Sequence, residues 1–595
     1  MKYAWLILPL LLARSLPARE PDTWVLLRRR LERKAPRPTR RRILAFYYPW
    51  YRTRSFSGKE NHWGKADPRG GDIPLALHRP LGGPYDSLDP RVVDRHLSQA
   101  RAAGIDTFVA SWWGEGSGTD RAFPLLLERA ARQGMKVTAY LERVGGSPPS
   151  AAEAAGELLR LGRRYASHRA WLRLEGRPVL FLYGRALRRI GAPAWVRALE
   201  TARKKGGADW VVLADGLEEE NAAFFDGIHT YNPLGVYRGL PPAKLAGAAK
   251  SFMERVVRLA RSRGKIACAT LLPGYDDTKI RKPGVRLDRL GGRLYDLQWK
   301  AALEVRPDWV VITSFNEWHE GSEIEPSREL GDRYLEATAR WARAWKKLPA
   351  PPERSRKEPP GLAALRKAVG KVKGRTGILG GFGGAAPAFL EAGASLSALE
   401  PGDLVSGKVR PDRFPLVVYC GGEEYAFGVK RPGDVPAALD AYLSRGGALL
   451  VFSTGPYPFY YDSEKKVVRA GEGFGLFLPG RGRRTAGPAD FEDPPAGVRL
   501  SFRLSPLLSR LPRVVPFPSG GDRRWRAAFP PPPGKAGGEW IPLARLEDGR
   551  GRSWGEGIAL CRRPGGGRLL YVWFRFGDMV PRTLLLADLV ELLFP

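Results

Sequence analysis

Cysteine is scarce in this chain: only Cys268, Cys420 and Cys561 occur among 595 residues. Three dispersed cysteines are too few for a disulfide framework or a zinc cluster. The first two fall in apolar runs typical of strands, and Cys561 follows another at "GIAL". We therefore expect all three to be core residues. No "HExxH" zinc pattern and no Ser/His/Asp arrangement is visible, so we predict neither a metal nor a cofactor.

Long hydrophobic runs are also lacking. The apolar run from Tyr3 to Ala13 is well short of the ~20 residues that a membrane-spanning helix needs. Together with Lys2 and the "SLPA" before Arg19, it fits a signal peptide over residues 1–18. We expect a secreted or periplasmic protein whose mature chain has no integral membrane span. An uncleaved short anchor is the alternative.

Acidic residues are outnumbered, with 62 Asp and Glu against 97 Lys and Arg, for a net charge of +35. Such an excess indicates a protein that binds nucleic acid, or one that binds an acidic envelope or polysaccharide, or an organism whose proteins are generally rich in arginine. The basic residues are scattered, their densest run (28–42) precedes the first predicted strand, and no DNA or RNA module signature occurs. We therefore predict no nucleic-acid partner. The oligomeric state is left open.

Eight short apolar runs, each followed by an amphipathic helix candidate, alternate between residues 42 and 348. The first helix candidate has Asp89 as a cap, Pro90 at its first position and a stripe of Val93, Leu97 and Ala100. The strand candidates are 43–48, 106–113, 136–142, 177–184, 209–216, 226–232, 265–272 and 308–315. Eight such units favour a (β/α)8 TIM barrel within an α/β protein over a doubly wound sheet.

Aromatic and acidic residues collect where these strands end, which is where barrel enzymes carry their chemistry. Flat rings stack on sugar rings and carboxylates bind hydroxyl groups, so the pattern is typical of a sugar-binding cleft. The strand-end residues are Tyr47, Tyr48, Trp112, Trp113, Glu142, Tyr183, Asp215, Tyr231, Tyr275, Asn316 and Glu317.

Two glutamates, Glu317 and Glu320, lie just after the eighth strand in "TSFNEWHEGSEIEPS". Glycosidic hydrolysis needs one carboxyl group to protonate the leaving oxygen and a second group to support the oxocarbenium-like transition state. Trp318 and His319 between them could tune burial. The alternative is a loop whose acids only cap a helix. The barrel context favours a catalytic pair.

Beyond the barrel, a basic segment is predicted over 19–41, a Pro-rich linker over 349–374 and a second, flavodoxin-like α/β domain over 375–595. Residues 481–540 are rich in Pro and Gly and remain unassigned. The run "GILGGFGG" (377–384) lacks the glycine spacing of a dinucleotide fingerprint.

The barrel resembles glycoside hydrolase family 99, the endo-α-mannosidase and endo-α-mannanase family. The resemblance rests on eight motifs in order, none of them strong alone. They are "AFYYPWY" (45–51), "HW" (62–63), "GPYDSLDP" (83–90), "AGIDTFVASWWG" (103–114), "RPVLFLY" (177–183), "FDGIHTYN" (225–232), "PGYDDTKIR" (273–281) and "TSFNEWHEG" (313–321).

This resemblance implies a retaining, endo-acting α-glycosidase without a cofactor. Glu317 would be the base on the sugar's own 2-hydroxyl, giving a 1,2-anhydro sugar, and Glu320 the general acid and then base. Leu141 stands before Glu142 where the family pattern has histidine, which puts the exact substrate in doubt. The residues expected to bind substrate are Tyr47, Tyr48, His62, Trp63, Trp112, Trp113, Glu142, Tyr231, Tyr275, Asn316 and Trp318.

The second domain resembles the class I glutamine amidotransferase-like fold, especially its trehalose-utilisation relatives. Ser453 and Thr454 stand where that fold would carry its nucleophilic cysteine, so we expect a non-catalytic accessory domain. The leading hypothesis is thus a secreted glycosidase acting on an α-mannan-like or related α-glycan polymer or oligosaccharide. A glycosyltransferase-like enzyme of polysaccharide assembly and a carbohydrate-binding protein on a decayed barrel are the alternatives. The sugar and linkage stay open.

Overall fold

The computed structural model describes residues 20–64, 73–353, 356–379, 384–420, 434–452, 460–461, 467–469, 498–517, 538–572 and 576–595. The predicted signal peptide, residues 1–18, lies outside these ranges, as do Ser453 and Thr454. Within the described ranges, no helix combines the length and the hydropathy needed to cross a membrane.

Eight parallel strands close into a barrel, which confirms the predicted fold. Each strand pairs with the next along the chain, the eighth pairs with the first, and the third meets the fourth through Tyr140 and Leu141. The strands are β1 (Arg42–Tyr47), β2 (Thr107–Trp112), β3 (Lys136–Leu141), β4 (Arg177–Leu182), β5 (Val211–Asp215), β6 (Gly227–His229), β7 (Ile266–Leu271) and β8 (Trp309–Ile312).

Helices follow the barrel strands in the predicted alternation, after an additional helix, α1 (Glu20–Glu32), that precedes β1. The first of them begins as predicted, because Asp89 caps it by accepting the backbone N–H of Arg91 at 2.9 Å. The barrel helices are α2 (Pro90–Ala102), α3 (Gly118–Arg132), α4 (Ala151–Leu161), α5 (Gly184–Lys204), α6 (Glu219–Phe224), α7 (Pro242–Ser262), α8 (Arg293–Val305) and α9 (Arg333–Lys346).

An aspartate stands just before three of the barrel strands and fixes the amino-terminal end of the barrel. Asp106 accepts the N–H of Ile43 at 2.9 Å, and Asp226 accepts the N–H of Val212 at 3.0 Å. Asp308 accepts the backbone N–H of Ala267 in β7 in the same way. Each aspartate satisfies a backbone donor at the start of the neighbouring strand, where the ladder is incomplete. The opposite, carboxyl-terminal end, hereafter the mouth, is left for the site.

The second domain is built on a mixed nine-stranded sheet in the order β10-β9-β11-β12-β17-β16-β15-β13-β14. Its first five strands are parallel and the rest antiparallel. The strands are β9 (Thr376–Leu379), β10 (Leu396–Leu399), β11 (Leu416–Tyr419), β12 (Ala448–Phe452), β13 (Leu500–Leu504), β14 (Val514–Pro516), β15 (Glu539–Asp548), β16 (Ser553–Arg562) and β17 (Arg568–Val572).

Helices accompany this sheet and also occupy part of the predicted linker. The longest is the carboxyl-terminal helix, which is buried along most of its length. The helices are α10 (Leu362–Gly370), α11 (Ala386–Glu391), α12 (Pro401–Val405), α13 (Asp434–Ser444) and α14 (Arg582–Leu593). Helix α10 lies within 349–374 and α1 within 19–41, so both segments contain ordered structure. The domain boundaries themselves stay a prediction.

The two domains meet near the amino-terminal ends of β6 and β7. Leu27 and Leu31 of α1 are buried in a hydrophobic cluster that contains residues of both domains. Glu391 of α11, whose side chain is 1% exposed, forms ion pairs with Arg263 at the end of α7 and with Arg356. The second domain is therefore joined to the barrel away from the mouth.

Candidate active site

The alternation of side chains along β1 separates two predicted site residues. Tyr48 belongs to the cluster that fills the barrel interior, whereas Tyr47 packs outward on Phe108 with ring centroids 4.5 Å apart. The Tyr47 hydroxyl lies 3.1 Å from Nδ1 of His96 on α2. Tyr47 thus faces the helices and not the mouth, which corrects the expectation. Successive strand residues point to opposite faces, and the sequence did not establish the phase of β1.

Trp112 at the end of β2 is a second such correction. Its side chain is 1% exposed, and its indole N–H donates to Asp120 of α3 at 3.0 Å, outside the barrel. The next residue, Trp113, is partly exposed and donates its indole N–H to Ser111 at 3.0 Å. Of the two tryptophans, only Trp113 is placed to present a ring at the mouth.

Glu317 is a buried carboxyl group at the carboxyl-terminal side of β8. It precedes a single 3-10 turn, Trp318–Glu320, and its side chain accepts the backbone N–H of His319 at 3.2 Å. The residue is 3% exposed. Burial raises its pKa well above the ordinary value, and the charge of Glu320 raises it further.

Glu320 has more donors than Glu317. Its carboxylate accepts the hydroxyl groups of Tyr231 at 2.9 Å and Tyr275 at 3.2 Å, and Arg281 lies 3.3 Å away. Burial raises the pKa of Glu320, and these three donors oppose the shift. Because the two carboxyl groups interact, they titrate as a pair, and one proton is shared over a widened pH range.

Glu142, at the end of β3, is a third buried acid of the mouth. Ser111 donates to its carboxylate at 2.9 Å. Burial raises the pKa of Glu142 to about 8, the Ser111 bond lowers it, and the charges of Glu320 and Asp215 raise it further. The mouth therefore holds three carboxyl groups whose ionised forms are disfavoured.

His62 and Trp63 lie beside the mouth in different environments. His62 has a φ of 66° and stacks on Trp50 with ring centroids 4.4 Å apart, and burial lowers its pKa to about 4. Trp63 is fully buried, stacks on Tyr51 at 4.2 Å and donates its indole N–H to the carbonyl of Tyr85. Trp63 is thus a supporting residue, and His62 is nearer the open side.

Asn316 and Trp318 lie on either side of Glu317 and are fully buried, so their side chains contact other protein groups and not the open mouth. The Asn316 amide accepts the N–H of Tyr48 at 2.7 Å and donates to its carbonyl at 3.1 Å. The backbone N–H of Trp318 donates to the hydroxyl of Tyr51 at 3.1 Å. Both residues tie the segment after β8 to the segment after β1, which orients the carboxyl group between them.

Sequence reasoning missed several partners of this segment: Tyr51, Tyr85, His96, Arg281 and Glu325. Tyr51, Tyr85 and Arg281 stand inside motifs quoted above, and Glu325 follows the last of them. His96 lies on an amphipathic helix, and no sequence motif marks it as a residue of the site. Among the residues that the structure describes, no group of three or more His, Cys, Asp or Glu side chains is placed to hold a metal ion.

A closed TIM barrel with paired carboxyl groups and aromatic rings at its mouth is the architecture of a glycoside hydrolase. The sequence model of glycosyl hydrolase family 99 matches residues 38–337, half of the chain, and the chain belongs to that family.

The known proteins to which this chain is similar include several named as endo-mannosidases. It is 28% identical to the glycoprotein endo-alpha-1,2-mannosidase of Rattus norvegicus, over 51% of this chain and 75% of the relative. It is 29% identical to the glycoprotein endo-alpha-1,2-mannosidase-like protein of Homo sapiens, over 50% and 74%. The solved endo-alpha-mannosidase of Bacteroides thetaiotaomicron is 29% identical, with 51% of this chain and 97% of that one covered and a TM-score of 0.44.

Proposed function

We propose that this glycoside hydrolase is an endo-acting retaining α-glycosidase of α-mannan-like glycans, with Glu317 and Glu320 as its catalytic pair. The observation that carries the proposal is the arrangement of the pair at the mouth: two interacting carboxyl groups with raised pKa values, the buried Glu317 directly before one short turn and the largely buried Glu320 at its end. The endo mode and the mannan-like substrate rest on the names of the relatives and on the motif resemblance.

The proposed reaction proceeds in two steps. Glu317 removes the proton of the substrate's 2-hydroxyl, whose oxygen attacks the anomeric carbon as the glycosidic bond breaks. Glu320 gives its proton to the leaving oxygen. Glu320, now ionised, takes a proton from water, which opens the 1,2-anhydro ring, and Glu317 returns its proton to the 2-hydroxyl. The anomeric carbon is inverted twice, so the configuration is retained.

The reactive form carries one proton on the pair. Such a state requires one ionised and one protonated carboxyl group at the same pH, which their mutual repulsion favours. Without substrate, the donors from Tyr231, Tyr275 and Arg281 favour the ionised form of Glu320. Substrate binding then has to replace some of these donors by the leaving oxygen, so that the shared proton moves to Glu320.

The substrate contacts are proposed for the residues that the mouth brings together. Tyr231 and Tyr275 donate to Glu320, and Tyr48 is joined through its backbone to Asn316, next to Glu317. Trp113 and Glu142 meet at the hydroxyl of Ser111. Trp50 belongs with them, since its partly exposed ring lies 6.5 Å from that of Trp113. Rings set at an angle around a carboxyl pair suit a sugar chain that passes over the mouth.

For the second domain we propose a non-catalytic accessory role on an amidotransferase-like fold. Cys420 follows β11 in the parallel half of the sheet and is 2% exposed, and burial raises the pKa of its thiol to about 12. A thiol of this kind is protonated at neutral pH and is a poor nucleophile. We also propose secretion, on the sequence of residues 1–18, and a barrel over 42–348 that acts without the second domain.

The direct test of the activity is incubation of the purified protein with a panel of α-mannans and α-glucans without a sugar nucleotide. Release of oligosaccharides from an α-mannan, with retained anomeric configuration by NMR, is the expected result. Turnover that requires a sugar nucleotide would contradict the proposal in favour of a glycosyltransferase. Binding to mannan without any turnover would indicate a decayed barrel.

A further inference from the structure

A second buried pair of ionisable groups lies directly behind the 316–318 segment. Nε2 of His96, on α2, is 2.9 Å from Oε1 of Glu325 without the geometry of a hydrogen bond, and the two side chains are 0% and 4% exposed. The other ring nitrogen of His96 is the one that contacts Tyr47. The pair therefore joins the outer face of β1 and helix α2 to the segment that follows Glu320.

The second carboxylate oxygen of Glu325 leads back to the residues around Glu317. It accepts the hydroxyl of Tyr85 at 2.8 Å and the indole N–H of Trp318 at 3.2 Å. The Tyr85 hydroxyl in turn accepts the side-chain amide of Asn316 at 3.1 Å. Glu325 is thus connected to the residue on each side of Glu317.

These contacts matter for how Glu317 is held in position. Within the part of the chain that the structure describes, Glu317 itself is held by few contacts. Its N–H donates to Ser314 at 2.8 Å, and its carboxylate accepts the His319 N–H noted above and lies 3.5 Å from Nδ1 of the same histidine. A catalytic carboxyl group has to be held within about 0.5 Å of its productive position by neighbours whose own rotamers are locked. The buried network is the part of the molecule that locks Asn316 and Trp318.

Stability alone does not explain the network. Burying a polar network costs desolvation free energy, and well-packed apolar residues of similar volume are often as stable. The network lies next to the segment that carries Glu317, where small displacements would alter the proposed chemistry.

We propose that Glu325, with His96 and Tyr85, positions Glu317 by fixing Asn316 and Trp318. These three are positioning residues, since none of them contacts the carboxyl group of Glu317. The inference rests on the proposed role of Glu317.

The test compares Glu325→Gln and Tyr85→Phe with Glu329→Gln, on the full-length protein. Glu329 is a matched control because it lies four residues further along, is 30% exposed and pairs with Arg79 at 2.7 Å. Displacing a catalytic group by about 1 Å costs on the order of 10²-fold in rate. We expect kcat of both network variants to fall by about 10 to 10²-fold, with unchanged glycan-binding stoichiometry and KM, and Glu329→Gln to match the wild type.

The pH profile separates positioning from loss of folded protein. A lower folded fraction reduces the rate and the binding stoichiometry together and leaves the pH profile unchanged. Displacement of Glu317 changes its burial and so shifts a limb of the kcat profile. Wild-type kcat and pH profile in Tyr85→Phe, which keeps the ring and removes only the hydroxyl, would overturn the inference even where Glu325→Gln does not fold. Wild-type turnover by Glu317→Gln would instead contradict the proposed function. The inference would then fail as well, because it rests on that role of Glu317.

Discussion

The buried carboxyl groups at the two ends of the barrel have different partners. At the amino-terminal end, Asp226 lies within 3.3 to 3.7 Å of Arg30, Arg33 and Arg177. Glu391 of the second domain pairs with Arg263 and Arg356. At the mouth, Glu142 and Glu317 have a serine hydroxyl and a backbone N–H as their hydrogen-bond donors. No lysine or arginine of the described chain is within ion-pairing distance of either. Glu320, the third acid of the mouth, has one such neighbour, Arg281 at 3.3 Å, whose side chain is 51% exposed.

This difference separates structural from reactive acids. A carboxylate surrounded by arginines has its charge compensated, and it holds elements together. A buried carboxyl group without a cation has a raised pKa and can exchange a proton near neutral pH, which is how acids are placed for catalysis. The four predictions below test this contrast, and they begin with the largest effect.

Glu317→Gln should remove nearly all turnover. Loss of a general base costs ~10²–10⁴-fold in rate, and the amide is close to isosteric with the acid, so glycan binding should remain. Steady-state kinetics and calorimetric titration with an unhydrolysed mannan fragment measure the two effects. A variant that binds and still turns over at the wild-type rate would show that Glu317 is not the base.

Glu320→Gln should be as inactive on natural glycans but less impaired on a substrate whose leaving group needs no proton. The reason is that only the natural leaving oxygen depends on the acid. Rates on an aryl glycoside with an acidic phenol, relative to those on mannan, measure the difference. Equal loss on both substrates would speak against Glu320 as the acid.

Glu391→Ala should act on stability and not on catalysis. Breaking a buried ion pair leaves uncompensated charge and costs about 3 kcal/mol or more in the free energy of unfolding. Denaturant unfolding measures the loss, and kcat should be unchanged. The control is Glu128→Ala, which breaks the exposed pair with Arg132 and should cost under about 0.5 kcal/mol. Similar losses of unfolding free energy in the two variants would contradict the structural role of the arginine-paired acids.

Glu142 should make the protein less stable as the pH rises. Its pKa is about 8 in the folded protein and about 4.3 in an unfolded chain, so the folded state binds more protons between these values and stability falls with rising pH. Glu142→Gln should flatten the decline of the melting temperature between pH 5 and pH 8. A decline as steep as that of the wild type would contradict this assignment.

The barrel could be predicted from the sequence because its signals are local. Each strand is a short apolar run, and a helix such as α2 carries its own cap at Asp89 and its own stripe. The carboxyl-terminal position of Glu317 and Glu320 follows from chain order alone. In the second domain, β15 was missed, because it mixes Pro542 and charged residues with apolar ones along the strand, and of β16 only the apolar run "GIAL" was recognised.

The parts that could not be predicted depend on three-dimensional packing. The choice between Tyr47 and Tyr48 depends on the phase of β1, since both are aromatic and adjacent. The Glu325 network joins residues more than two hundred positions apart, and no local pattern marks His96 as its member. Likewise, the contrast between the two ends of the barrel follows from which acids meet arginines once the chain has folded.

The use of the substrate's own 2-hydroxyl is the central claim, and chemically altered substrates test it most directly. The wild-type protein is given an α-mannan oligosaccharide whose sugar at the cleavage site is 2-deoxy or 2-O-methyl, beside the unmodified oligosaccharide. With the internal nucleophile absent or blocked, both altered substrates should resist cleavage while the unmodified one is cut. Cleavage of the altered substrates at the normal rate would contradict the account, because Glu317 would then act as a direct nucleophile or have no part in the reaction.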